Sequence, residues 1–235
     1  MENGYILFEG NSKLNGEPIV VIGTGFSDSS ANTKTGDMIQ TWILLQNEEP
    51  HKAIKTGADS AICGDCVHRG EWDGKTWVKS RTCYVKTFQA PLAVYRKYKR
   101  NGYKKANLAQ QRALTADRVV RIGSYGDPMA APRTLWENFI VNAKAHTGYT
   151  HQWKKTKSKQ WANIVMASVE NEQLAKIAQH RGYRTFRVLS DPTTSENEIL
   201  CPASKEAGQK TICEKCKLCS GTTSNSRKSI AIVQH

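Results

Sequence analysis

The sequence predicts an α/β fold, a partial β/α barrel or open parallel sheet, with a β-rich N-terminal part and a C-terminal cysteine loop. Three observations predict it. From residue 119 onward, short apolar runs alternate with amphipathic stretches as strand, helix, strand, helix, strand, the pattern of parallel strands joined by crossover helices. Before residue 60, β-like runs at 19–22 and 38–45 are broken by Gly, Asn and Ser clusters. At the other end, four of the 7 cysteines crowd into residues 201–219.

The elements follow in order. Residues 27–35 are polar and turn-rich and read as a loop. Residues 92–113 are rich in helix formers, interrupted near Gly102. The apolar run 119–123 fits a buried strand and leads into the turn Tyr125-Gly126-Asp127-Pro128. Residues 133–146 place Leu135, Trp136, Phe139, Ile140 and Ala143 on one helical face. A strand at 164–168 precedes a helix at 172–181, with Leu174, Ile177 and Ala178 inward and Gly182 as its stop. Strands at 185–189 and 229–233 complete the pattern. The expected organisation is a β-rich part over 1–60, an α/β core with a first cysteine site over 61–200, and a metal-binding loop with a closing strand over 201–235.

With 235 residues and 39% hydrophobic content, the chain can bury a sizeable core, and global disorder is excluded. No apolar run approaches the ~20 residues of a membrane span. The first ten residues carry Glu2 and Glu9 and lack a basic leader region. A soluble cytoplasmic protein is the expectation. The formal net charge of +13 favours a polyanionic partner, nucleic acid or an acidic host protein, against a plain solvated basic surface. The basic residues concentrate at Arg96, Lys97, Lys99, Arg100, Lys104 and Lys105. Tyr95, Tyr98 and Tyr103 interleave with them and are candidate stacking platforms for bases.

The cysteines form two clumps: Cys63, Cys66 and Cys83, then Cys201, Cys213, Cys216 and Cys219. An odd count and repeated two-residue gaps argue for metal ligation rather than a disulfide framework. In the second clump, two consecutive two-residue gaps aim three sulfurs at one centre, and Cys201 supplies the fourth. That arrangement resembles a ferredoxin-type [4Fe–4S] ligand set, with structural zinc as the alternative. In the first clump, Cys63 and Cys66 form one knuckle and Cys83 arrives sixteen residues later. His68 or His51 would complete a zinc site. Without either, an iron of a [4Fe–4S] cluster stays open.

The order of these features resembles the radical S-adenosylmethionine superfamily over residues 60–221. The strand and turn Val119-Val120-Arg121-Ile122-Gly123-Ser124-Tyr125-Gly126-Asp127-Pro128 resemble the family's second strand and its cofactor-contacting turn. Val165-Met166-Ala167-Ser168-Val169-Glu170 resembles a strand ending in Ser plus an acid. The resemblance implies an open cluster on Cys63, Cys66 and Cys83, with S-adenosylmethionine near Gly126, Asp127 and Ser168. It also implies an auxiliary cluster in the C-terminal loop. The family's usual spacing is Cys-x3-Cys-x2-Cys, whereas this chain has Cys-x2-Cys-x16-Cys. The stretch from Asn32 to Gln40, the Cys83-Tyr84 pair and Cys201-Pro202-Ala203 are similar to a group of tailed-phage proteins. Two functions therefore stand as expectations. One is an iron–sulfur phage protein of radical S-adenosylmethionine type, catalytic or degenerate. The other is a non-enzymatic, zinc-stapled phage protein binding nucleic acid or a host protein through its basic face.

Overall fold

A computed structural model describes residues 1–28, 33–224 and 226–234. The chain opens with β1 (Gly4–Asn11), β2 (Pro18–Thr24) and β3 (Ile39–Leu45). Next come α1 (Pro50–Thr56), the short α2 (Ser60–Cys63), the hairpin β4 (Glu71–Trp72) and β5 (Trp77–Lys79), then α3 (Ala90–Lys99). After β6 (Lys104–Lys105) and α4 (Leu108–Leu114), the α/β run begins: β7 (Val119–Tyr125), α5 (Arg133–Ile140), β8 (Ala145–Thr150), β9 (Met166–Val169), α6 (Glu172–His180) and β10 (Thr185–Leu189). The last elements are β11 (Glu198–Leu200), α7 (Cys213–Cys216) and β12 (Ser229–Val233).

One 10-stranded sheet runs through all three expected parts, in the order β11-β12-β10-β9-β8-β7-β3-β2-β1-β6. From β11 to β3 every neighbouring pair is parallel. β2 pairs antiparallel with both β1 and β3. β11 and β6 are free edges, so the sheet is open rather than closed into a barrel.

The winding explains where a site can form. From β7 to β10 each strand lies beside its predecessor, always stepping in one direction. Right-handed crossovers taken in one direction fall on one face of a sheet. On that face Val120, Ile122, Ala167 and Val169 pack with Trp136 and Phe139 of α5 and Ala175 and Ala178 of α6. Apolar burial of this kind contributes about 25 cal/mol per Å². The C-terminal loop packs on the opposite face. There Met166 and Ile230 pack with Cys201, Ala203 and Cys219 of the C-terminal loop.

Several sequence expectations shift. The helix expected over 133–146 ends at Ile140, and its last residues belong to β8. The stretch 92–113 divides into α3 and α4, with Asn107 capping α4 through a reciprocal bond with Gln110. On α6, Ala175 and Ala178 face inward but Ile177 is 48% exposed. Small alanines let the helix sit close on the sheet, which turns Ile177 outward.

Candidate functional site: a chamber between two cysteine sets

The sheet face that carries the C-terminal loop lines a cavity of about 430 Å³. Side chains alternate along a strand, and every second residue of the parallel block points into it. They are Arg121, Gly123 and Tyr125 of β7, Thr147 and Tyr149 of β8, and Ser168 of β9. Phe186 and Val188 of β10 and Ile230 and Ile232 of β12 continue the wall. All seven cysteines border this one cavity, although more than a hundred residues separate the two clumps.

The first set is built by backbone turns. Cys63 ends α2, and its carbonyl accepts from Cys66 N at 3.2 Å. Cys83 is drawn in by its N–H to His68 O at 3.1 Å, and Arg81 Nη1 grips the Cys83 carbonyl at 2.9 Å. At Gly64 a Cβ would lie 2.5 Å from Gln152 Oε1, so glycine lets that side chain reach the Cys63 carbonyl. Arg69, paired to Asp59 at 2.6 Å, also donates to the Gly64 carbonyl and locks the knuckle. Burial pushes the Cys63 thiol well above its ordinary range, and Asp59, Cys66 and Cys83 add to the rise. The Tyr125 hydroxyl lies against this set, buried and with no hydrogen-bond partner.

The second set hangs on the sheet and on the N-terminal loop. Cys201 N donates to Ala231 O at 2.8 Å, and Cys219 O accepts from Gly148 N of β8 at 3.1 Å. Cys213 N donates to Lys34 O, and Glu214 N to Thr35 O, while Glu214 Oε2 accepts from Asp37 N at 3.0 Å. Much of the stretch 32–40 thus serves as a strap over the cysteine loop; its first residue, Asn32, lies outside the described residues. Burial drives the Cys219 thiol to about 12, against a hydrogen bond from Tyr149 that lowers it.

Two guanidinium groups flank this second set without a carboxylate. Arg184 donates to the carbonyls of Leu218 (2.7 Å), Gly221 (2.9 Å) and Lys228 (3.2 Å). Arg121 donates to the Tyr84 hydroxyl. Burial works against both charges: at Arg184 it prevails over Cys219 and lowers the pKa, whereas at Arg121 Tyr84, Tyr149, Cys213 and Cys219 outweigh it and raise the pKa.

Among the described residues, no group of three or more His, Cys, Asp or Glu is arranged to hold a metal ion. A single tetrahedral zinc needs its sulfurs about 3.8 Å apart, given Zn–S near 2.3 Å. A cuboid cluster places each sulfur on a different iron, so its ligands stand further apart. The cysteines border the cavity without forming such an ion-holding group among the described residues.

The histidines take three different positions. His51 pairs with Glu49 and does not border the cavity. His68 lines the cavity, with Nδ1 on Thr82 Oγ1 at 2.7 Å and Nε2 buried with no hydrogen-bond partner among the described residues. The histidine beside Cys66 is His151, which bonds that thiol and meets Glu170 Oε1 at 3.4 Å. Burial opposes its charge, yet Cys66 and Glu170 carry its pKa up to about 10. Of the three, His151 alone had no sequence signal, because it stands far along the chain from Cys66.

The cofactor-turn residues are well placed but differently employed. Gly126 has φ +85°, and a Cβ there would lie 2.7 Å from Ile43 Cβ. Asp127 is buried, and its oxygens accept from Met129 N (2.9 Å), Thr150 Oγ1 (2.8 and 3.0 Å) and His151 N (2.8 Å). Three donors thus hold the carboxylate, which braces the turn and the backbone at His151. Ser168 borders the cavity.

The basic stretch lies elsewhere. Its six residues do not border the cavity. Arg96 pairs with Glu49, Lys104 with Glu2 and Lys105 with Glu9. Lys99 donates to Gln46 O, and Lys97 sits over the Tyr103 ring. Tyr95 is 5% exposed and packs in the protein, whereas Tyr98, which donates to Glu9, and Tyr103 are half-buried. No helix among the described residues is long and apolar enough to cross a membrane.

No protein-family model matches the chain, and neither a curated protein nor a solved structure matches it.

Proposed function

We propose that the chain is an iron–sulfur protein of radical S-adenosylmethionine type, with the chamber as its reaction site. The observation that carries this reading is the convergence of both cysteine sets on one cavity, on the loop-bearing face of a parallel sheet. Cys63, Cys66 and Cys83 would hold a cluster with an open iron, and Cys201, Cys213, Cys216 and Cys219 an auxiliary one. When bound, the first cluster supplies an electron and an open coordination position to S-adenosylmethionine.

The chain's own residues have distinct tasks. His151, held by Glu170, bonds Cys66 and orients that ligand. Asp127 fixes the turn that carries His151 N. Tyr125 offers its unpaired hydroxyl to the guest beside Cys63. Arg184 would balance the charge of the second set.

The test is calorimetry of S-adenosylmethionine against anaerobically purified protein, followed by product analysis after chemical reduction. Binding and reductive cleavage of the cofactor are expected. A colourless protein carrying zinc at the first cysteine set, or a full iron complement with no heat of binding, overturns the reading.

A further inference from the structure

Arg121 stands apart from the other inward arginines. Arg69 meets Asp59, Arg187 meets Glu198, Arg81 holds two carbonyls and Arg184 holds three. A guanidinium carries five N–H donors. Among the described residues, Arg121 commits its guanidinium to the Tyr84 hydroxyl and to no carboxylate. It sits in an apolar strand, between the buried residues Val120 and Ile122, and its side chain lines the cavity. With one bond made to a neighbour, the planar guanidinium has further N–H donors to offer a guest in the cavity it lines.

The wall around it has a definite chemistry. The rings of Tyr149 and Phe186 lie 4.4 Å apart, and Val188, Ile230 and Ile232 extend the apolar surface. The volume of about 430 Å³ falls within the range of small-molecule sites, ~300–1,000 Å³. Arg121 is four residues from Tyr125 along β7, about 13 Å at strand spacing. The cation therefore lies toward Cys213 and Cys219, away from the Cys63 end.

We propose that the chamber takes a small molecule with a flat apolar body and one oxyanionic group, the anion on Arg121 and the body along Phe186 and Ile230. A planar guanidinium matches carboxylate or phosphate in bidentate fashion, and the apolar wall selects against a bare ion. The inference rests on the chamber being a reaction site and names the substrate class for it. Nucleic acid is not the guest, because the basic residues of α3 and β6 do not reach the cavity.

The test uses the full chain as purified anaerobically, with three probes: benzoate, phenyl phosphate and neutral benzamide. Titration is followed by calorimetry, with iron and sulfide counted on the same sample. Benzoate or phenyl phosphate is expected to bind at least about tenfold tighter than benzamide, and their ratio tells carboxylate from phosphate. Arg121→Gln is expected to erase that preference, and Arg121→Lys to keep part of it. Tyr84→Phe, which leaves Arg121 in place, is expected to retain it. Equal binding of benzoate and benzamide to the wild type overturns the proposal, and that comparison needs no variant to fold. So does no binding of either anion at millimolar concentration, or an unchanged preference in a folded Arg121→Gln protein. Because Arg121 and the wall come from the sheet, anion preference in a sample without iron would sustain this inference while sinking the cluster reading.

Discussion

Arg184 is the strut on which the second cysteine set depends. Its guanidinium joins three carbonyls from two segments: Leu218 and Gly221, which bracket Cys219, and Lys228, which leads into β12. Arg184→Met keeps the length and apolar stem of the side chain and removes every one of these bonds. Bonds from a charged donor are worth about 1.5–3 kcal/mol each, so three carbonyls set a ceiling of about 5–9 kcal/mol. Leu218 and Lys228 are only partly buried and can recruit water, whereas the Gly221 bond is fully buried. The expected loss is therefore about 3–5 kcal/mol, concentrated in the C-terminal loop. For a chain of this size that corresponds to a fall in Tm of roughly 6–20 °C, with metal released from the second set before global unfolding. Thermal denaturation, with metal content measured along the ramp, reads both effects. Arg184→Met protein with wild-type Tm and metal content would refute the strut.

Three further outcomes are expected. The Arg187–Glu198 pair is nearly dry and bidentate, with Glu198 only 2% exposed; Glu198→Ala leaves Arg187 uncompensated and is expected to cost about 3–5 kcal/mol in denaturant melts. Although burial works the other way, Arg187 and Ser195 hold the Glu198 carboxyl below its ordinary 4.5. Its stabilisation is thus complete above about pH 4.5 and fades as pH falls through the lower folded value, and a variant as acid-resistant as the wild type would speak against the pair. Gly126→Ala meets Ile43 and a left-handed backbone together, so a destabilisation of about 2–5 kcal/mol is expected; a neutral result would show that β3 can move aside. Reversing Lys97, Arg100 and Lys104 should leave metal content and probe binding unchanged while flattening any salt-dependent binding of single-stranded nucleic acid; loss of metal in that variant would tie the basic face to the chamber.

How much of this was legible depended on which face a residue occupied. β10 and β12 were read to the residue, because their alternation serves two apolar surfaces. β8 was missed. One of its faces carries Thr147 and Tyr149 into the cavity, and Gly148 offers no side chain to the other, so no apolar run announces it. Arg121 did carry a signal: a charge inside the run Val119-Val120-Arg121-Ile122 has to face something other than a packed core. The cysteine spacing pointed to two local sets. That both border one cavity follows from the one-directional winding of the sheet, which no local pattern encodes. His151 had no signal in sequence, since its partner Cys66 lies 85 residues away.

The central claim is that each cysteine set holds its own cluster on opposite sides of one chamber. Iron and acid-labile sulfide, counted per chain, test it most directly. The comparison is between anaerobically purified wild type and the triple variant Cys63→Ala, Cys66→Ala, Cys83→Ala. The account predicts about eight iron atoms per wild-type chain and about four in the variant, which stays folded because the second set anchors the C-terminal loop independently. Zinc in place of iron, or an unchanged iron count in the folded triple variant, would contradict it.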